Sequence, residues 1–244
     1  MTLSVGFQFS SNEPVLPIGE LLERGRDTAF EYYPSFISSG ISPSPFRLPV
    51  KSGLQVYDLS GGMETFGMFD DSLPDDWGRR IIDGKFRKER GRYPTVLERL
   101  AMVGSRGKVA LVYKPSIEDD LPRENFDFDV IAANAMDFEE GLASEVLSSV
   151  RRAGGSSGGA RPKINIAFNP ETGEVRPDEK DSLTCGFQPW IVKFNTRRDG
   201  DSFGELEYRY YQMACAAGVE MMPSQLIKTH VGVFFRHQTI RPHQ

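Results

Sequence analysis

The ten residues Gly154-Gly155-Ser156-Ser157-Gly158-Gly159-Ala160-Arg161-Pro162-Lys163 constrain this 244-residue chain more than any other segment. Four glycines and a proline within ten residues oppose both helix and strand, because glycine loses the most backbone freedom on ordering and proline lacks an N–H. The segment is therefore a loop between two differently patterned stretches. After it, Lys163-Ile164-Asn165-Ile166-Ala167-Phe168-Asn169 alternates as a strand does, and Asn169-Pro170-Glu171-Thr172-Gly173 is turn chemistry that predicts a hairpin. Trp190-Ile191-Val192-Lys193-Phe194 predicts another strand. A helix is predicted over 202–217, with Ser202 to Glu205 as a capping box, Leu206, Tyr210, Met213, Ala214 and Ala217 on one face, and Gly218 as its stop.

A glycine-rich loop beside a strand lets several N–H groups converge on one anion, since no Cβ blocks close approach. The pattern is not a Walker loop, because Ala160 and Arg161 stand where Lys and Ser or Thr are required, nor does it open directly into a helix as a dinucleotide fold demands. A solvated Gly/Ser linker is the competing reading of the same residues. What favours a phosphate cradle is the order of parts: glycine loop, then a strand with one Lys in an apolar setting, then a helix bearing Glu. Kinase small lobes use that order to neutralise nucleotide phosphates. Lys193 is the candidate phosphate ligand and Glu207 its partner; an edge lysine and a solvated helix carboxylate are the alternatives.

The front of the chain predicts short strands with inserted helices. Strands are expected at 30–33, 46–50 and 108–113. One helix is expected to be capped by Ser72, with Pro74 in its first turn and Trp77, Ile81, Ile82 and Phe86 on one face. A second opens with the capping box Thr95 to Glu98 and stops near Gly104. Residues 79–108 hold ten Lys or Arg against three Asp or Glu, whereas 116–145 hold one Arg against ten Asp or Glu. The acidic stretch predicts a linker leading into an amphipathic helix over 139–152. Domains are thus expected at 1–115, 116–150 (linker and helix), 151–227 and an atypical tail at 228–244, which holds all three His and no carboxylate.

A net charge of −5 argues against a protein that wraps nucleic acid. The chain lacks an apolar run long enough for a membrane span, and its start lacks a signal-peptide pattern, so a cytoplasmic protein is expected. Cys185 and Cys215 lack metal-ligand spacing and are expected as reduced thiols in small apolar niches.

The loop at 154–163, the Trp190 to Phe194 strand and the Glu207-Tyr208 helix resemble the HipA family of serine/threonine kinase toxins. The front half resembles that family's N-terminal subdomain through Phe30-Glu31-Tyr32, Leu48-Pro49, the run Phe69 to Arg79 and Arg99-Leu100-Ala101-Met102-Val103-Gly104. The similarity runs from about residue 5 to 227. It implies an α+β fold: a HipA-like N-terminal subdomain, then the small lobe of a protein-kinase-like fold.

The resemblance also implies ATP and Mg2+ as cofactors, and a small HipB-like helix-turn-helix antitoxin as partner, with DNA reached only through that antitoxin. The implied substrate is a serine of an aminoacyl-tRNA synthetase. By position, Gly158, Gly159, Ala160, Arg161, Pro162 and Lys163 would cradle the nucleotide, Lys193 would meet its phosphates, Glu207 would hold Lys193, and Ser156 would be autophosphorylated. The basic run 79–92 would touch operator DNA or a partner, or simply form a solvated helix face.

The departure is chemical. Phosphoryl transfer needs an Asp that orients the substrate hydroxyl and another that holds magnesium. Beyond Asp201 there is no Asp, and beyond Glu207 the only Asp or Glu is Glu220. The expectation is a truncated, catalytically incomplete kinase toxin with the large helical lobe missing. The alternative is a non-catalytic module that docks an antitoxin or a separately encoded lobe. Either way, apolar surface is expected to be exposed around Met221, Met222 and Phe234.

Overall fold

The computed structural model describes residues 1–9, 13–25, 27–57, 62–107, 110–117, 127–141, 159–178, 186–196 and 202–239. The fold class is α+β, with two antiparallel five-stranded sheets and six helices among those residues. The chain divides into two compact units, one of residues 1–74 and 86–120, the other of 75–85 and 121–243.

The first unit is built on β1 (Thr2–Phe7), β2 (Leu16–Arg24), β3 (Asp27–Tyr32), β4 (Gln55–Val56) and β5 (Leu111–Lys114), in the order β4-β3-β2-β1-β5. Alternation places Leu3, Val5 and Phe7 of β1 on the face buried with Ile18, Leu21, Phe30 and Tyr32. Short helices α1 (Pro34–Ile37) and α2 (Gly67–Asp70) add Phe36 and Phe69 to this core. Two glycines are sterically required. A Cβ on Gly19 would lie 2.3 Å from the Glu31 carbonyl oxygen, and one on Gly6, beside the β1/β2 register shift, 2.4 Å from Val15 Cγ1.

Helix α3 (Asp76–Arg90) and helix α4 (Val96–Val103) form where expected. Thr95 accepts from the Glu98 N–H while the Glu98 carboxylate accepts from the Thr95 N–H, so the capping box is complete. Arg92 pairs bidentately with the same carboxylate. That hydrogen bonding holds Glu98 below the ordinary carboxylate pKa.

Two expectations for the first unit are corrected. Ser72 does not cap α3: its Oγ accepts from the Tyr113 hydroxyl at 2.7 Å, and the cap is Asp75, whose Oδ1 accepts from the Gly78 N–H at 2.8 Å. Residues 46–50 are not a strand. Prolines at 45 and 49 remove ladder donors, leaving Phe46 94% exposed while Leu48 is buried, its carbonyl accepting from Tyr32 Oη.

The second unit is built on β6 (Lys163–Phe168), β7 (Val175–Pro177), β8 (Gln188–Lys193), β9 (Ser224–Lys228) and β10 (Val233–Gln238), in the order β7-β6-β8-β10-β9. The predicted β6/β7 hairpin forms, with Asn169 Oδ1 accepting from the N–H groups of Glu171 and Thr172. One sheet face presents Ile164, Ile166, Trp190, Val192, Phe194 and Phe234, which join Trp77, Ile81 and helix α5 (Phe128–Glu139) through Ile131, Ala132 and Ala135. Helix α6 (Phe203–Ala216) approaches β9 and β10.

Four differences from expectation arise in this unit. Part of the expected acidic linker is helix α5: Asp127 caps it, and its alanines let it lie close to the sheet. The expected helix at 139–152 lies outside the described residues beyond Gly141, where a positive φ ends α5. Strand β10 is interior to the sheet, so the atypical tail does not begin at Lys228 and Phe234 is core. On α6, Ser202 makes no side-chain cap, and Leu206, Tyr210 and Met213 are 45%, 63% and 65% exposed. Met221 and Met222 are exposed as expected; Cys215 is exposed too and occupies no apolar niche, while Cys185 lies outside the described residues.

Candidate functional site

In β8 the side chains alternate, so Ile191 and Lys193 share the sheet face opposite Trp190 and Val192. Helix α6 crosses this side and brings Glu207 to Lys193: Nζ donates to Oε1 at 2.7 Å, with the side chains 31% and 22% exposed. The pair is thus half-buried, leaving the ammonium further donors. Glu207 Oε2 is buried and has no hydrogen-bond partner among the described residues. Phe235, the register partner of Lys193 on β10, places its ring centroid 5.5 Å from Nζ.

Two residues outside the expected set position the helix. Asn195, just past β8, donates through Nδ2 to the Val233 carbonyl and accepts at Oδ1 from the Gly204 N–H, tying β8, β10 and α6 together. Gly204 is buried where a Cβ would meet Val233 O at 2.8 Å and Phe235 N at 3.0 Å. Only glycine lets the first turn of α6 come so close to β10. A sequence reading can see an Asn before a helix, but not the strand it reaches.

The loop end is organised by two cations. Gly159 has φ +95°, a conformation that favours glycine, and its carbonyl accepts from Lys163 Nζ at 2.8 Å. The same ammonium is 2.7 Å from Asp75 Oδ2, with the two side chains only 4% and 6% exposed. Lys163 is therefore an internal anchor of the loop end, its ammonium held by Asp75 and the Gly159 carbonyl. Asp75 serves both α3, through Oδ1, and Lys163, through Oδ2. Trp77 Nε1 donates to the Lys163 carbonyl, fixing the same point again. Arg161 stacks its guanidinium 3.7 Å from the Phe203 ring centroid at the start of α6. Pro162 is buried, its carbonyl accepting from the Phe194 N–H; Ala160 lies in the bend before β6. Gly158 and Ser156 lie outside the described residues.

His237 also belongs to this neighbourhood. It follows Phe235 by two on β10, faces the same way, and has its ring centroid 5.9 Å from that of Phe235. Burial and, secondarily, the Lys193 charge lower its pKa below the ordinary histidine value. The basic run 79–92 is largely tied locally: Arg80 pairs with Glu139 and lies over Trp77, Arg87 donates to Tyr93, and Arg92 to Glu98. Among the described residues no helix is long and apolar enough to cross a membrane, and no group of three His, Cys, Asp or Glu could hold a metal ion.

Two family models match the chain: one described as the HipA N-terminal domain over residues 14–114, the other as the HipA-like C-terminal domain over residues 155–238. The second reaches Gln238, so the family pattern continues eleven residues past Ile227 and includes all of β10. No curated protein matches. Among solved structures, a HipA chain from a Shewanella oneidensis MR-1 toxin-antitoxin complex of HipA, HipB and operator DNA matches with a TM-score of 0.53 and 15% identity. The alignment covers 97% of this chain and 50% of that one, so the present chain spans about half the length of its structural relative.

Proposed function

This chain belongs to the HipA family, and from that premise we propose that it is a kinase toxin of a toxin-antitoxin pair whose second unit is the nucleotide-binding small lobe of a kinase-like fold. The observation that carries the reading is the Lys193–Glu207 ion pair. It joins a strand and a helix that follow a glycine-rich loop in chain order, the arrangement with which kinases fix a phosphate-binding lysine.

ATP fits these residues as follows. Lys193 Nζ, oriented by Glu207, would meet the phosphates, and the backbone of Gly159 and Ala160 would approach them; Arg161 and Pro162 shape the loop's exit. The bound nucleotide would supply the phosphoryl group, and these residues would hold and orient it. Magnesium would accompany the nucleotide and offset the charge of its phosphates. The chain contains no Asp beyond Asp201 to orient a substrate hydroxyl. These 244 residues therefore bind nucleotide without transferring phosphate by themselves, whether to Ser156 or to a synthetase serine. The partner is a HipB-like antitoxin, a reading supported by the relative's complex.

Titration of the chain with a fluorescent ATP analogue is the test. Saturable binding displaced by ATP is expected, with no label on Ser156 from γ-labelled ATP; absence of binding would refute the nucleotide site, and labelling of Ser156 the incompleteness.

A second reading is favoured by the exposed Leu206, Tyr210 and Met213 on α6 and by the half-length match. Here the unit is a docking platform for the other half of a HipA-like chain supplied separately. Co-expression with such a half should restore phosphorylation, and Met213→Glu should prevent it.

A further inference from the structure

The sheet face opposite Lys193 holds a cation that nothing in the nucleotide reading uses. Arg236 sits in β10 between Phe235 and His237 and is only 9% exposed. Its Cζ lies 3.9 Å from the Phe168 ring centroid and 5.0 Å from that of Trp190, so two aromatic rings flank the guanidinium. Nη2 donates to Gln225 Oε1, a neutral acceptor, while Nε is buried with no hydrogen-bond partner among the described residues. No ion pair involves Arg236 among the described residues. Burial alone lowers its pKa. Cation–π contacts and one amide hydrogen bond offset only part of the cost of desolvating a guanidinium; an anion would supply the remainder.

An open groove of about 660 Å³ lies beside this residue. Phe168, Val175 and Ile227 give it apolar walls, and Lys228 and His230 stand exposed at its rim. Asp127 and Asp129 complete the wall. Asp127 Oδ1 accepts from the N–H groups of Asp129 and Val130 as the cap of α5, and Asp129 Oδ1 accepts from the His230 N–H, so both hold the far side of the groove in place. Their charges oppose a multiply charged ligand such as phosphate. Arg236 and the apolar walls select instead a single planar charge on a flat apolar body, and a carboxylate matches a guanidinium edge.

We infer that this groove binds the carboxylate of a small apolar or aromatic acid through Arg236, on the sheet face opposite the Lys193–Glu207 pair. Benzoate is the probe, and calorimetric titration of the whole chain the measurement. Benzoate should bind the unaltered chain, inorganic phosphate at least about tenfold more weakly, and ATP-analogue affinity should be unchanged by saturating benzoate. Arg236→Met, which removes a buried charge but keeps apolar volume, should lose at least about tenfold in benzoate affinity without lowering the melting temperature. Lys228→Ala, at the exposed rim, should weaken benzoate a few-fold and decides the matter should the first variant not fold. No benzoate binding, equal or tighter phosphate binding, undiminished affinity in a folded Arg236→Met chain, or undiminished affinity in Lys228→Ala would each overturn the site.

Discussion

Lys163 and Lys193 are register partners across β6 and β8, the same residue on the same sheet face, yet they do different work. Lys163 is sealed against Asp75 and the Gly159 carbonyl; Lys193 pairs with Glu207 and remains about a third exposed. A fully buried pair anchors structure because losing either partner strands a charge. A half-buried pair is cheap to disturb and keeps donors for a ligand. The same division separates the two units. In the first, buried polar groups are neutral and mutually satisfied, as in Thr28 with Thr65, Tyr113 with Ser72 and Tyr32 with Leu48; in the second, the charged Lys163 and Arg236 are buried beside neutral Asn165 and Asn195. Burial pushes the Tyr32 hydroxyl up to about 12, so that network stays neutral at any ordinary pH.

The largest expected effect is at the sealed lysine. Asp75→Ala should cost about 3–5 kcal/mol, because it strands the Lys163 charge, and the denaturation midpoint measures it. The double change Asp75→Leu with Lys163→Met should return most of that stability. Next, Gly204→Ala should push α6 off β10, misplace Glu207 and lower ATP-analogue affinity about tenfold; unchanged affinity would break the link between helix seating and the site. Thr95→Ala, in the first unit, should cost about 1 kcal/mol through loss of the capping box, with no change in nucleotide affinity. Lys193→Ala should alter stability by at most about 1 kcal/mol while abolishing nucleotide binding.

The smallest effect concerns pH. The folded pKa of His237 is depressed, so between that value and about 6.5, the unfolded value, the unfolded chain binds more protons. The stabilisation from neutral His237 is therefore complete above that value and lost as pH falls through the folded pKa. His237→Phe should flatten the slope of melting temperature against pH in this window; an unchanged slope would place the titration elsewhere.

Much of this arrangement was readable from local patterns. The α4 capping box, the Asn169 turn, the Lys193 strand and the Glu207 helix each announce themselves within a few residues, where capping and alternation operate. What escaped was non-local. Asp75 and Lys163 are 88 positions apart, and no local rule joins them. The role of Gly204 depends on the backbone of β10, and β10 falls in the stretch 228–244, which its three His and lack of Asp or Glu mark as atypical although Arg236 and His237 lie on a packed sheet. Helix α5 was hidden by the charge of its flanks, since Asp127, Asp129 and Asp137 outweigh the few alanines that face the sheet. The apolar stripe of α6 is legible as a stripe, but its spacing alone does not say whether the residues that would cover it belong to this chain.

The contrast between the two lysines can be tested in one experiment: labelling the folded chain with an adenosine analogue that carries a lysine-reactive sulfonyl fluoride, and mapping the modified residues by mass spectrometry. Modification of Lys193, prevented by excess ATP, is expected, with Lys163 left unmodified. Labelling of Lys163, or labelling of Lys193 that ATP does not prevent, would contradict that contrast.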